Sequence, residues 1–351
     1  EPDVSVDRRN ALAAEADETL QYDNYYEWNA NIAGIIVQLR TNSPHLNDFW
    51  MENWYPGQLE TDLEPHGVIY AVKGASGREP RAFYNTDTRT GFIFNTAYYG
   101  QVRSMALGIA ADISERMMDA QLVHASCLDV NGSGVLIFGG PGLGKSGPVL
   151  NLLQQPGAKL VAYDSVLMRY TPREALADMV ERKMYFKTKF GRKMPALFSL
   201  FERSKNENVP ISKEDCDQEP DGGPLDQGKP YTYVGFSNSR SMLDPYWIGG
   251  MEKHAKRTSV KKIIILHQDD FSKPIEELSR ERALDIIENG TTGMKGGAAR
   301  EGFFNPHLLA RDTERDEIQR RFFMRLLNTA RVYYVNAAMG KERMKDAVAE
   351  L

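Results

Sequence analysis

Cysteine is almost missing from this chain: two in 351 residues, Cys127 and Cys216. Two cannot build a disulfide framework and are too few for a zinc site of the usual ligand count, so they fit a reducing compartment. Long apolar runs are missing as well. No stretch approaches the roughly 20 residues that a bilayer-spanning helix takes. The first residues, Glu1-Pro2-Asp3-Val4, are acidic and lack a signal-peptide core. No initiator Met stands there, as at a processed or trimmed end, and cytoplasm is the expected location. A surplus of positive charge is also absent. Lys and Arg number 43 against 48 Asp and Glu, a net charge of -5, which argues against nucleic-acid binding through a broad basic surface. There is neither an internal repeat nor a low-complexity tract. The remainder is the profile of a globular chain, 42% hydrophobic and 26% charged, long enough for roughly two domains.

One motif stands out. Gly139-Gly140-Pro141-Gly142-Leu143-Gly144-Lys145-Ser146 is a complete G-x-x-x-x-G-K-[ST] phosphate-binding loop, the Walker A pattern. Val135–Phe138 before it has strand character, and Gly147 leads into Pro148-Val149-Leu150-Asn151-Leu152-Leu153, which continues as a helix. Strand, glycine loop and helix together turn backbone N–H groups and a helix N-terminus toward a polyphosphate. The expected ligand is a nucleoside triphosphate. Lys145 would reach the β- and γ-phosphates, and the Ser146 hydroxyl would ligate Mg²⁺. A ligand-free glycine turn is the bland reading, and the setting disfavours it.

Periodicity organises the rest. Residues 7–21 read as a helix, with Leu12, Ala13, Ala16 and Leu20 at helical spacing. An irregular aromatic stretch follows (Tyr22, Tyr25, Tyr26, Trp28, Trp50, Trp54, Tyr55), expected to serve core or interface packing. Three strands at 67–73, 81–85 and 91–95, separated by turn residues, suggest an antiparallel meander. A helix is expected over 99–119. This N-terminal α+β region, 1–118, carries no readable motif and is set apart from a second domain, 119–351, that holds the phosphate loop. There, strands 124–130 and 135–138 flank an Asn131-Gly132 turn and form a hairpin into the loop. Strand 159–163 ends at Asp164. Residues 204–230 read as a polar excursion, 261–267 as a buried strand, 274–288 as a helix, 290–302 as a glycine-rich loop, 306–329 as a helix and 332–335 as a strand.

Phosphoryl transfer needs charge clamps, metal ligands and a group that takes the acceptor's proton. Asp164 ends the strand after the loop helix, at the same sheet edge as the loop, where an acid ligates the metal in the Walker-B manner or acts as base. Arg240, within Asn238–Pro245, either stabilises the equatorial oxygens of the transferred group or is structural. Asp244 before Pro245 reads as turn chemistry. Lys295 and Arg300 bracket glycines in a loop that either closes over phosphates or merely connects. His124 alone, at a strand start, reads as structural, and Cys216 has no evident role.

The segment Val123–Met168 resembles the HPr kinase/phosphorylase family, which groups with phosphoenolpyruvate carboxykinase-type phosphate-loop enzymes. The matching residues are His124-Ala125-Ser126-Cys127-Leu128-Asp129-Val130, Gly132, Gly134-Val135-Leu136-Ile137, the loop, then Gly157, Leu160, Val161, Ala162, Asp164 and Val166. The resemblance implies an α/β fold with a mixed-sheet P-loop kinase core unlike that of Ras-type nucleotidases. It implies ATP- and Mg²⁺-dependent transfer to a serine-type hydroxyl, in some members reversible with phosphate or pyrophosphate, and homo-oligomers are common in the family. Its site residues fall here on His124, Lys145 and Asp164.

The chain departs from the pattern in three places. Tyr163-Asp164 stands where two adjacent acids are usual, so Asp164 must do double duty or the chain is not a standard protein kinase of this type. The downstream glutamate motif is echoed by Leu200-Phe201-Glu202-Arg203, which would add Glu202 (or else Glu207) to Ser146 and Asp164 as metal ligands. The N-terminal region does not look like the regulatory domain of bacterial HPr kinases, which leaves the acceptor open between a small metabolite and a protein. Two alternatives stand beside the kinase. One is a nucleotide-binding sensor with a decayed catalytic pair, which Tyr163 favours. The other is a carboxykinase-like lyase, ranked last because no histidine–lysine metal cluster is evident near the loop.

Overall fold

The computed structural model describes residues 1–58, 64–140, 145–192, 194–209, 238–290, 305–307 and 309–351. Helix α1 (Val6–Leu20) starts at Ser5, whose hydroxyl accepts from the Arg8 amide, and it buries Leu12, Ala16 and Leu20. The aromatic stretch expected to be irregular is ordered. Strands β1 (Tyr26–Ile32) and β2 (Ile35–Thr41) pair antiparallel. Ala33 and Gly34 join them at φ of 51° and 97°, as a tight two-residue hairpin requires. Tyr26, Trp28 and Ala30 alternate there with Glu27 and Asn29, a period of two that the polar face half conceals. Helix α2 (Pro44–Asn53), capped by Ser43, follows. Trp50 and Trp54 are fully buried, whereas Tyr22 and Tyr25 are exposed.

After β3 (Tyr55–Pro56) come β4 (Gly67–Val72), β5 (Arg81–Asn85) and β6 (Thr90–Phe94). They do not form the expected meander. The sheet order is β3-β1-β2-β4-β6-β5, with β4 parallel to β2 and to β6, and β5 antiparallel at the edge. Every residue of β6 is buried while β5 exposes Ala82, so the more apolar strand takes the interior place. Helix α3 (Tyr99–Met117) packs on this sheet and on β7 (Ala120–Val123). It is buried nearly all round, Arg103, Asp112 and Glu115 included. One apolar core runs from Leu39, Ile69 and Ile93 through Val102 and Ile109 to Leu122 and Leu167.

The second sheet uses β7, β8 (Ser126–Val130), β9 (Ser133–Gly139), β10 (Ala158–Ala162), β11 (Val166–Tyr170) and β12 (Ala175–Met179), with helix α4 (Ser146–Gln154) between β9 and β10. The strand expected over 124–130 begins only at Ser126. Its first two residues link β7, at one end of the sheet, to β8 near the other. The Asn131-Gly132 turn is a hairpin with both φ positive (53° and 84°). Strand β13 (Met184–Lys187), helix α5 (Phe198–Phe201), β14 (Lys205–Glu207) and β15 (Arg240–Leu243) follow, the strands forming a small sheet ordered β13-β15-β14. Most of the polar excursion expected at 204–230 lies outside the described residues.

The long strand β16 (Arg257–His267) runs parallel to β9 and, over its second half, to β18 (Arg331–Asn336). The helix expected over 274–288 splits into β17 (Ile275–Leu278) and α6 (Arg280–Asn289), because Ser279 caps the helix and fixes its start. The helix expected from 306 begins seven residues later as α7 (Thr313–Leu327), set by the Asp312 cap. A last helix, α8 (Lys341–Glu350), was not foreseen. Residues 291–302 of the glycine-rich loop, with Lys295 and Arg300, lie outside the described residues. The chain is a mixed α/β structure with mixed sheets, and among the described residues no helix is long and apolar enough to cross a membrane.

Candidate functional site

Strand β9 carries Gly139 to the sheet edge, and α4 leaves it there. A Cβ at Gly139 would lie 3.4 Å from Leu266 Cδ1 and 3.5 Å from Lys145 Cβ, ordinary contact distances that place this position against both β16 and the start of α4. Residues 141–144 of the expected cofactor contacts lie outside the described residues. Lys145 is the N-cap of α4, and no side chain caps that end. Its first-turn amides therefore have no acceptor supplied by a cap, and Lys145 and Ser146 border the adjoining cavity, which suits an anion. Val149, Leu150, Leu152 and Leu153 anchor the helix below.

The cavity measures about 730 Å³, and Gly139, Gly140, Lys145, Ser146, His124, Asp164 and Arg240 all border it. Asp164 is its electrostatic centre. Lys145 Nζ lies 3.3 Å from Oδ1, Arg103 Nη2 donates to Oδ2 at 3.0 Å, and His124 Nδ1 is 3.8 Å from Oδ1. Burial alone would push this carboxyl up, but the surrounding His124, Lys145 and Arg103 hold it well below the usual carboxylate range. Burial pushes His124 itself down to about 4. At neutral pH that ring is uncharged, so the cations that fix Asp164 as an anion are Lys145 and Arg103.

Arg103 comes from α3, inside the region that carried no readable motif. Its guanidinium is braced by Glu181, with Nε to Oε1 and Nη2 to Oε2 both at 2.6 Å. Both side chains are 7% exposed. Burial works against the charged form, but Glu181 first and then Asp164 more than offset it, so Arg103 stays charged at any working pH. A bidentate pair of this kind fixes the donor geometry as well as the charge.

Tyr163 replaces the expected first acid. Its hydroxyl sits 2.7 Å from Ser146 Oγ, and its ring stacks on Phe186 with centroids 5.1 Å apart. Burial raises its phenol further, which removes it as a base at neutral pH. Arg240 lies on β15, directly across from Lys187 of β13, with its guanidinium 5.8 Å from the Tyr185 ring centre. Burial and then Arg240 lower Lys187, which a shared anion would relieve. Glu202, expected as a metal ligand, is exposed at the end of α5 and does not border the cavity. Glu207 is buried as a brace, accepting from the Tyr99 amide at 3.0 Å and from the Tyr185 hydroxyl, with His45 Nε2 at 3.1 Å. Asp244 follows its turn reading, accepting from the Tyr246 amide at 2.9 Å.

The structure also adds His307, which borders the cavity facing His124, ring centres 5.8 Å apart and nearly perpendicular. The ligating atoms of His124, Asp164 and His307 lie within 4.8 Å of one another, so a histidine cluster that the sequence did not reveal does exist. Nothing near 307 signals this, whereas Arg103 had a signal: a charge beside Val102, Met105, Ala106 and Ile109 on an otherwise apolar face. Because the two imidazoles stay neutral when folded, they are linked to stability. His124 is lowered from 6.5 to about 4, so between these values the unfolded chain binds a proton that the folded one does not. Its stabilising contribution is complete above pH 6.5 and is lost as pH falls toward 4, costing about 2 kcal/mol by pH 5. His307, lowered to about 3, acts in the same direction. Urea titrations at pH 7 and pH 5 should show a smaller drop for His124→Asn than for the native chain, and equal drops would contradict the assignment.

Residues 115–185 match the family model described as the HPr Serine kinase C-terminal domain, about a fifth of the chain. A search of curated proteins returns no match. The family match supports an HPr kinase-like family and a kinase-type function. It runs from the end of α3 to β13 and spans His124, Lys145, Ser146, Asp164 and Glu181. Arg103, Arg240 and His307 lie outside it.

Proposed function

We propose that this protein is an ATP- and Mg²⁺-dependent kinase that transfers a phosphoryl group to a hydroxyl acceptor, a small metabolite or a seryl side chain. The observation that carries this reading is the Lys145–Asp164–Arg103 ion cluster at the uncapped start of α4, with His124 beside it. The residues suit a magnesium triphosphate. Lys145, Arg103 and Arg240 border one cavity with Asp164, and the Ser146 hydroxyl there lies 2.7 Å from that of Tyr163. Ser146 and Asp164 would hold the ion, which when bound supplies charge neutralisation between phosphates.

Lys145 and Arg240 would balance the negative charge of the transferred group, each such contact being worth on the order of 3 kcal/mol in the transition state. Arg103 holds Asp164 in place as a permanent anion. The N-terminal region thus serves as a wall of the site, since α3 supplies Arg103 and Ser104. The test is turnover of Mg–ATP against a panel of hydroxyl metabolites and seryl peptides, with Lys145→Met as the control.

Tyr163 keeps a second reading alive: a nucleotide-binding sensor without transfer. Binding of Mg–ATP with no product from any acceptor or from water would favour it. Under the kinase reading the Tyr163 hydroxyl accepts the Ser146 proton and leaves a serine lone pair for the metal. Tyr163→Phe keeps the stack on Phe186 but loses that bond, worth about 1 kcal/mol. Half-saturating Mg²⁺ for nucleotide binding should therefore rise about fivefold. An unchanged Mg²⁺ dependence would remove this role.

A further inference from the structure

His307 and Leu309 lie directly on helix α3, and the helix is shaped to receive them. A Cβ at Gly108 would collide with the His307 carbonyl oxygen and come within 2.5 Å of Leu309 Cγ. Only the missing side chain admits the strap. Buried Asn305 fastens it at one end, its Nδ2 donating to the Leu122 carbonyl at 3.1 Å and its Oδ1 accepting from the His307 amide at 2.9 Å. One helical turn before Gly108, Ser104 Oγ lies 2.8 Å from His307 Nδ1. The ring is thus held at its backbone and at one nitrogen. The other nitrogen, Nε2, is buried without a hydrogen-bond partner among the described residues, at the cavity wall near His124 and Asp164.

A divalent cation at this cluster would meet two positive neighbours. Arg103 at 3.0 Å and Lys145 at 3.3 Å from the Asp164 oxygens oppose a further cation on the two imidazoles, beside the ion that Ser146 and Asp164 would hold. What the kinase reading lacks is a proton acceptor. Asp164 is engaged on both oxygens, and Tyr163 offers only a phenol that already bonds Ser146. Of the two imidazoles, His124 has no hydrogen-bond partner for Nδ1 among the described residues. His307 has Ser104. With Nδ1–H donating to the Ser104 oxygen, Nε2 presents its lone pair to the cavity, as an anchored imidazole base does.

We propose that His307 is a catalytic residue of this site, its Nε2 taking the proton of the acceptor hydroxyl. The inference rests on the kinase reading. In the step, the acceptor oxygen bonds to the γ-phosphorus as its proton passes to Nε2. The bond from the γ-phosphorus to the bridging oxygen breaks, and its electron pair leaves with the nucleoside diphosphate. The resulting imidazolium returns the proton to water before the next cycle. Ser104 is a positioning residue, holding the ring through Nδ1.

The experiment uses the full chain with Mg–ATP and three acceptors: water, L-serine and a seryl peptide. His307→Ala and His307→Asn should bind Mg–ATP within twofold of the native affinity by calorimetry, yet lose about 10²-fold in kcat. Added imidazole should restore turnover to His307→Ala and not to Lys145→Ala. Ser104→Ala should lose about tenfold in kcat and not respond to imidazole. A native chain that binds or turns over no Mg–ATP overturns the kinase reading and this assignment with it. Native turnover beside a His307→Ala protein of equal kcat overturns the assignment alone. So does a His307→Ala protein that loses binding and turnover together with no response to imidazole, since the strap would then be structural.

Discussion

Replacing Lys145 with Met is expected to lower Mg–ATP turnover by 10²–10³-fold while leaving the protein folded. Methionine keeps the length of the stem and removes the ammonium group. Under the proposed function that group is the point charge between the β- and γ-phosphates, and a charge contact in a partly dry site is worth about 3–4 kcal/mol in the transition state. Asp164 Oδ1 also loses its cation at 3.3 Å. His124 cannot substitute, because its ring is neutral above about pH 4. Nucleotide affinity should fall alongside turnover, since the same charge grips the ground state. Lys145 stands at the start of α4, outside the apolar clusters, so the melting temperature should move by only a few degrees. Turnover equal to the native protein would remove phosphoryl transfer at this site.

Arg103→Met is expected to have the second large effect, on folding as well as on turnover. The substitution strands Glu181, whose side chain is 7% exposed and would keep, among the described residues, only the Asn53 amide at 3.0 Å. An uncompensated buried carboxylate costs about 3–5 kcal/mol. Asp164 loses its partner on Oδ2 and with it a fixed orientation toward Lys145. The two consequences can be separated. Adding Glu181→Gln removes the stranded charge, so the double variant should regain most of the lost stability in urea titrations. Its turnover should stay low, because Asp164 is still released. Recovery of both together would reduce Arg103 to a folding element, and loss of neither would contradict the charge cluster altogether.

The site was half legible in the sequence. Strand β9, the glycine segment and α4 declare themselves because a phosphate cradle needs glycines where backbone approaches the ligand, and Lys and Ser at fixed steps after them. Asp164 could be placed because a strand end beside that cradle is the sheet edge that ligands use. Arg103 and His307 could not. Their proximity to Asp164 depends on α3 lying across two sheets and on a strap seated at Gly108; the charge on the apolar face of α3 marks Arg103 as buried without saying what it meets. Glu202 shows the converse fault, since a glutamate echoing a motif ended on the outside of α5.

The fold divides similarly. Helix α3 was readable from apolar residues at three- and four-residue steps. The exchange of β5 and β6 was not, because turn residues show where a strand ends and say nothing of which neighbour it will pair with. The short β17 was absorbed into an expected helix because Ile275 and Leu278 are three apart, a spacing that serves either structure. The Ser279 cap decided the matter.

The central claim is that the amides opening α4, with Lys145, hold a polyphosphate beside Asp164. Calorimetric titration of the full chain with Mg–ATP, and separately with magnesium pyrophosphate, addresses it without any acceptor. A saturable heat for both ligands at a stoichiometry of one, weakened at least tenfold in Lys145→Met, is the predicted result. No heat from either ligand, or binding that Lys145→Met leaves unchanged, would contradict the account.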